Sequence, residues 1–213
     1  MNILEVYKKY QLIPLQVEHH LRVASVADLI CENFTDKVDR ENVVKASLLH
    51  DMGNIIKFDL DNPLFQDSLQ PQGVEFWKKV QTEFRHKYGN DEHVAHLKIA
   101  GEIGVGERIL DIINAMTFHG ASDTANKADF GKKICQYADD RVGPWGVVSL
   151  EDRFKDLQKR YAHHGEDTPE RHNFEKALRE IEKQIFARCK LQPEDITDES
   201  IKLRLEILKS YDI

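Results

Sequence analysis

The sequence predicts an all-α protein. Apolar residues recur every three or four positions along most of the chain, which is the spacing of one face of an α-helix. No stretch resembles a β-strand convincingly, and no glycine-rich phosphate-binding loop is present. Glycine and proline separate the periodic segments, as expected where one helix ends and the next begins.

The predicted helices follow one another with short connections. The first covers residues 15–33, where Val17, Leu21 and Ala24 lie on a broad apolar face. The second covers 41–52 and ends before a glycine, a residue that often follows a helix C-terminus. An irregular connection over 54–73 comes next, because this stretch contains prolines and glycine. The remaining helices are predicted at 74–87, 92–103 with Asp91 as N-cap, 105–118, 131–142, 150–162, 169–190 and 198–209.

The length of 213 residues fits a single domain with an additional helical segment. We predict a core domain over residues 1–162 and a C-terminal helical extension over 163–213 that packs on it. No long flexible linker separates the two parts. The amphipathic helices of the extension either cover the core or form a homodimer, and periodicity does not distinguish these arrangements.

Composition excludes several classes of protein. No window approaches the roughly 18–20 consecutive apolar residues of a membrane span, and the N-terminus lacks the features of a signal peptide. The chain has three cysteines and no CxxC pair, so we expect reduced thiols and a cytoplasmic location. A net charge of −7 disfavours nucleic acid and leaves a small anionic substrate, which a metal or a local basic cluster can hold.

Histidine and aspartate recur at the ends of apolar helices. His50 and Asp51 follow two leucines in "ASLLHDMGN", His119 ends "IINAMTFH", and Asp139 lies in "ICQYADD". Burying such groups costs several kcal/mol unless they are paired or bind a metal. Helical bundles build metal sites from scattered segments of this kind. The residue types suit Mn, Fe, Ni, Co or Zn, or Mg if carboxylates and water supply most ligands.

Three motifs together resemble the HD-domain superfamily of metal-dependent phosphohydrolases. "HHLRVA" at 19–24 is similar to the family's "HxxRVA" helix. "ASLLHDMGN" at 46–54 is similar to its "AALLHDIGK", and "YADDRV" at 137–142 to its "xADxRV". The resemblance spans roughly residues 12–161, and it implies an HD-domain helical bundle with a metal in its core.

The resemblance also implies the ligands of this metal, which are His19, His50, Asp51 and Asp139. The HxxR spacing favours His19 over its neighbour His20. The position after Tyr-Ala favours Asp139 over Asp140, which we expect to cap the helix or to pair with a cation such as Arg141.

Some family members bind a second metal through two further histidines. The candidates here are His93 and His119, with His96 as a competitor of His93. The alternative is that these histidines lie on the surface or form ordinary hydrogen bonds. We therefore expect one or two divalent ions per chain, with Asp51 as the natural bridge in the binuclear case.

Basic residues near the motifs are candidates for contacts with an anionic substrate. The family often has lysine where this chain has Asn54, and Lys57 is a possible replacement. Arg22 is expected either to stabilise charge in the reaction or to form a salt bridge within the bundle. The remaining two candidates, expected on the substrate or on a solvated charged face, are Arg141 and Arg153.

The predicted activity is hydrolysis of a phosphate ester or anhydride in a nucleotide or another small phosphorylated metabolite. A metal-activated water would attack, and Asp51 would accept its proton. Two alternatives stay open. One is a metal-binding regulatory domain without turnover, and the other is a di-iron oxygenase, an activity that the same superfamily includes.

Overall fold

A computed structural model describes residues 1–160 and 168–213, and within these residues the chain is almost entirely helical, which confirms the all-α prediction. Two short antiparallel strands, β1 (Val142–Gly143) and β2 (Gly146–Val147), accompany the helices. The helices are α1 (Ile3–Lys9), α2 (Pro14–Asn33), α3 (Arg40–Leu49), α4 (Val74–Tyr88), α5 (Glu92–Ile103), α6 (Glu107–Ala115), α7 (Ala121–Asn126), α8 (Phe130–Asp140), α9 (Leu150–Arg160), α10 (Pro169–Phe186) and α11 (Asp198–Leu208).

Helix α2 is the centre of the bundle. It packs against α3, α8 and α11, and every residue from Val23 to Cys31 is buried. A helix covered on several sides is apolar around most of its circumference, which explains the broad face seen in the sequence. Helices α3 and α8 also contact each other, so the three helices share one core.

Local capping fixes where the neighbouring helices begin. The side chain of Asp39 accepts a hydrogen bond from the backbone of Asn42 at the start of α3. Asp91 and Asp129 cap α5 and α8 in the same way. Each such cap satisfies a backbone N–H that has no partner within its helix, and it typically contributes about 1 kcal/mol.

Helix α3 ends immediately before the histidine–aspartate pair. The chain then turns at Gly53 into a short 3₁₀ helix, Asn54–Lys57, which packs against α4 and α5. A Cβ atom at position 53 would lie 2.5 Å from the Cβ of Ala95, so only glycine lets this turn approach α5 so closely. The sequence predicted the end of the helix here, but not the contact with α5.

The helices after residue 168 lie against those of the core. Helix α10 packs on α7 and α8, and α11 packs on α2. An ion pair joins Arg204 of α11 to Asp28 of α2 at 3.2 Å. The predicted division after residue 162 falls among residues 161–167, outside the described part of the chain, and it stays a prediction.

Several elements differ from those predicted. Helix α1, with a capping box at Asn2 and Glu5, and the short helix α7 were not predicted. Both have fewer than two full heptads, so periodicity gives little signal. The helix expected over 105–118 ends at Ala115, and the strand pair forms on either side of Pro144 and Trp145.

Two further features concern the cysteines, which were expected to be reduced thiols, and the lengths of the helices. Cys31 and Cys135 are buried, Cys189 is half-buried, and all three are unpaired. In the part of the chain that the structure describes, every helix is too short or too polar to span a bilayer.

Candidate metal centre

Three side chains of the type that bind metals meet where α2, α3 and α8 pack together. They are His19 on α2, His50 immediately after α3 and Asp139 in the last turn of α8, and their ligand atoms all lie within 4.8 Å of one another. Asp139 Oδ1 is 3.0 Å from His19 Nε2 and 3.4 Å from His50 Nε2. Two imidazoles and a carboxylate form a donor set that suits a divalent first-row metal.

The hydrogen bonds of His50 fit a ligand. Its Nδ1 lies 2.8 Å from the carbonyl oxygen of Ser47, so Nδ1 carries the proton of the neutral ring and donates it. In this neutral form, which is the one that binds a metal, the lone pair on Nε2 faces Asp139. Among the described residues this buried Nε2 has no hydrogen-bond partner. Histidines that bind metals usually donate their second N–H to a carbonyl or carboxylate in this way.

The charges in the cluster are strongly coupled. Burial lowers the pKa of His50, but the carboxylates of Asp51 and Asp139 outweigh this and raise it to about 9. Burial raises the pKa of Asp139, but the charge on His50 and the contact with His19 bring it well below its usual value. The Asp139 carboxylate is therefore ionised at neutral pH, the form that binds a cation.

Asp51 lies beside this cluster and is held from two sides. Its Oδ2 is 3.7 Å from His50 Nε2 and accepts a hydrogen bond of 2.8 Å from the Asn54 amide. Its Oδ1 is 3.3 Å from Nε2 of His96 on α5. Burial raises the pKa of Asp51, but His50 and His96 lower it to about 2. Both carboxylate oxygens thus have a neighbour that favours the ionised form.

His20, which follows His19 on α2, lies in the core beside the cluster. His20 is fully buried against the ring of His50, with ring centroids 5.0 Å apart. Neither of its ring nitrogens has a hydrogen-bond partner among the described residues. The structure therefore places His19, and not His20, in the cluster.

The candidates for a second metal all line the cavity beside the cluster, but their surroundings differ. His93 is half-buried, and its Nε2 lies 3.2 Å from Oδ1 of Asn114. His119 is exposed beside Phe118. Of the histidines considered, the structure brings His96 to Asp51, whereas the sequence favoured His93 for that position.

A cavity of about 1250 Å³ opens beside the cluster. His19, Asp51 and Asp139 line it, together with the predicted substrate contacts Lys57 and Arg153. Its walls include aromatic side chains from separate parts of the chain, namely Phe58, Phe65, Phe118, Phe154 and Phe174. The last of these, like Arg171, comes from α10, so the C-terminal region contributes to the cavity.

Two arginines predicted to act on the substrate lie elsewhere. Arg22 pairs with Glu18 at 3.2 Å and reaches Asp198 at 3.9 Å, so its role is a salt bridge within the bundle. Arg141 is buried, and it donates to backbone carbonyls in the strand region and before α11, those of Val148, Pro193 and Ile196. Neither arginine lines the cavity. Arg22 therefore follows the salt-bridge alternative, whereas Arg141 is neither on the substrate side nor on a solvated face, which corrects that expectation.

Asp140 pairs with a cation, as expected, but the cation is Arg153 and not the suggested Arg141. Its Oδ2 accepts a hydrogen bond of 3.0 Å from Gln136, and its Oδ1 lies 3.9 Å from Arg153 Nε, not beside Arg141. Burial and the charge of Asp139 raise the pKa of Asp140 to about 7. Arg153 also approaches Asp156 at 3.6 Å, so two carboxylates orient it at the cavity wall.

Sequence reasoning missed several residues of the cavity. Phe118, Phe174 and Arg171 carry no motif and lie far apart in the sequence. The one available signal was the position of Phe118 directly before His119, at the end of an apolar helix.

Comparison with protein families gives a match to the HD domain over residues 17–206, which is more than half of the chain. The matched range contains all three members of the cluster. Comparison with the curated proteins gives no match, and comparison with the solved structures gives none.

Proposed function

The chain belongs to the HD-domain family, and on this premise we propose that it is a metal-dependent phosphohydrolase acting on a nucleotide or another small phosphorylated metabolite. The observation that carries the proposal is the cluster of His19, His50 and Asp139, two of whose members, His19 and Asp139, line a cavity with cationic and aromatic walls. The family supports hydrolysis of phosphate compounds, and the cluster supports a divalent metal.

In the proposed mechanism, some residues bind the metal and one accepts a proton. His19, His50 and Asp139 would hold the metal, and Asp51 would add a carboxylate beside them. When bound, the metal supplies a water of lowered pKa and polarises a phosphoryl oxygen. Asp51, ionised and in contact with Asn54 and His96, would accept the proton of the attacking water.

Two cations at the cavity wall suit the phosphate group. Arg153 is 14% exposed and is oriented by Asp140 and Asp156. Lys57 is about half exposed and lies 3.1 Å from Glu92. A positioned cation stabilises the charge on a phosphoryl group during transfer, so these two side chains replace Arg22 in that proposed role.

The aromatic wall supports a nucleotide over a smaller phosphate ester. Phe118 stacks on Phe174 with ring centroids 4.6 Å apart and an angle of 25° between the rings. Phe118 is 44% exposed, so part of its surface is available for stacking with a planar base. The cavity volume of about 1250 Å³ leaves room for a base and a sugar beyond the phosphate.

Replacing Phe118 with alanine should raise KM for a nucleoside monophosphate about tenfold, because a stacked base contributes roughly 1–3 kcal/mol. Turnover of a phosphate ester without a ring, such as glycerol phosphate, should stay unchanged. Phe76→Ala is the matched control, since Phe76 is similarly exposed on α4 and does not line the cavity. Equal losses on both substrates would contradict a base-stacking role.

The proposed activity is tested by measuring phosphate release from nucleotides and sugar phosphates with Mn, Fe, Ni, Co, Zn or Mg. We expect turnover that EDTA removes and that Asp51→Ala reduces to background, with the helical content unchanged. Activity that persists both in the presence of EDTA and in the Asp51→Ala variant would contradict the proposed mechanism. Bound metal without turnover would favour the regulatory domain, and tightly bound iron with an oxygen-dependent optical change would favour the oxygenase.

We also propose a cytoplasmic location and a small phosphorylated substrate, with neither nucleic acid nor membrane as partner. The net charge of −7 and the unpaired cysteines support these points. A homodimer formed through the C-terminal helices stays a prediction.

A further inference from the structure

Two histidines beside Asp51 differ in which nitrogen of the neutral ring has a free lone pair. In His50, Nδ1 faces a carbonyl oxygen and is a donor, so in the neutral ring, the form that binds a metal, the lone pair lies on Nε2. In His96 the situation is reversed, because the backbone N–H of Gly53 donates to Nδ1 at 2.9 Å. The lone pair of Nδ1 is then occupied, and the proton of the neutral ring lies on Nε2.

The proton on Nε2 determines what His96 can contact. This nitrogen lies 3.3 Å from Oδ1 of Asp51, so it faces the carboxylate as a donor. A neutral imidazole has one lone pair, and in His96 the N–H of Gly53 uses it. Binding a metal through Nε2 would require that hydrogen bond to break and leave a buried N–H without a partner.

The packing around Gly53 holds this arrangement in place. A Cβ on residue 53 would lie 3.1 Å from the carbonyl oxygen of Glu92 and 3.2 Å from the backbone nitrogen of His96. The turn and α5 are therefore in close contact along the backbone. The ring of His96 is 4% exposed, so it has little space to rotate or to exchange its partner for water.

Asp51 is held on its other oxygen as well. The Asn54 side chain donates to Oδ2 at 2.8 Å, so one donor faces each carboxylate oxygen. Asn54 stands where the resemblance to the family leads one to expect lysine. An amide at this position donates to the aspartate at short range without adding a positive charge.

We propose that His96 is a positioning residue which, together with Asn54, holds Asp51 beside the cluster, and that the site takes one divalent ion per chain. The other candidate ligands support this count, since His93 contacts Asn114, His119 is exposed, and among the described residues neither belongs to the cluster of His19, His50 and Asp139. The effect on turnover rests on the proposed function, whereas the metal count does not.

The metal count is tested by titrating the metal-free protein with Mn²⁺ and measuring bound manganese per chain. Wild type, His96→Gln and His96→Ala should each bind one ion, and His50→Ala should bind none. Two ions in wild type and one in both His96 variants would overturn the inference and leave the proposed function intact. No ion in any of the proteins would overturn both.

The positioning role is tested by comparing two substitutions of His96. The side-chain nitrogen of glutamine occupies nearly the place of Nε2 and can donate to Asp51, whereas alanine cannot. His96→Ala should lower kcat about 10- to 100-fold with KM unchanged. His96→Gln should recover kcat to within about threefold of wild type, as expected when a conservative variant keeps the hydrogen bond.

A control and a folding check complete this test. His86→Ala changes an exposed histidine at the end of α4 and should leave kcat unchanged. Thermal unfolding of both His96 variants shows whether a loss of activity reflects folding. Equal losses in the alanine and glutamine variants, with both folded, would overturn the positioning role.

Discussion

His50→Ala should abolish divalent-metal binding and lower metal-dependent kcat/KM by about 10³-fold or more. His50 is the buried member of the cluster, and its Nε2 faces Asp139 without a hydrogen-bond partner among the described residues. A catalytic metal supplies several kcal/mol of transition-state stabilisation, and each 1.36 kcal/mol corresponds to a factor of ten in rate. Loss of this ligand should therefore remove most of the activity.

The experiment is a metal analysis of the purified variant by mass spectrometry, combined with phosphate release at saturating Mn²⁺. His86→Ala is the control, because it removes an exposed imidazole from α4 and should retain both metal and activity. Circular dichroism shows whether the helices of His50→Ala are intact. A folded His50→Ala protein with the metal content of wild type would rule out the proposed ligand set.

Gly53→Ala should lower the free energy of unfolding by about 1–3 kcal/mol, the usual cost of forcing extra volume into a packed site. The added methyl group would lie 2.5 Å from the Cβ of Ala95 and 3.1 Å from the carbonyl oxygen of Glu92. The backbone φ of −98° is accessible to alanine, so the cost is steric. To relieve this steric clash, α5 would have to move away from the turn. That movement would also lengthen the hydrogen bond from the Gly53 N–H to His96.

The matched substitution is Gly101→Ala on α5, the helix that Gly53 contacts. A Cβ atom at position 101 would meet nothing within 4 Å. It should raise stability by about 0.5–1 kcal/mol, because alanine is favoured over glycine within helices. Urea unfolding of both variants measures the difference. If Gly53→Ala were as stable as wild type, the close contact between the turn and α5 would not be a constraint on the fold.

The fold was predictable where the sequence carries a strong local signal. The bounds of α5 were predicted to the residue, because an aspartate caps one end and a glycine in the left-handed region follows the other. Helix α3 ends three residues earlier than predicted, since the residues after Leu49 turn to meet α5. That contact depends on tertiary packing, which the periodicity of one segment does not contain.

The metal cluster was predictable because its residues belong to recognisable motifs, whereas the orientation of other side chains was not. His93 and His96 share a helix, and packing of Ala95 against Gly53 decides which of them faces Asp51. Arg22 reaches an aspartate on the last helix, Asp198, a pairing between distant parts of the sequence. Charge alone does not indicate such partners.

The cluster joins three helices, because His19 lies on α2, His50 directly follows α3 and Asp139 lies in α8. An ion held by all three would act as a cross-link at the centre of the bundle. By thermodynamic linkage, free metal at 100 times its dissociation constant would stabilise the folded chain by about 2.7 kcal/mol. Metal supply would then affect the stability of the folded protein as well as its proposed activity.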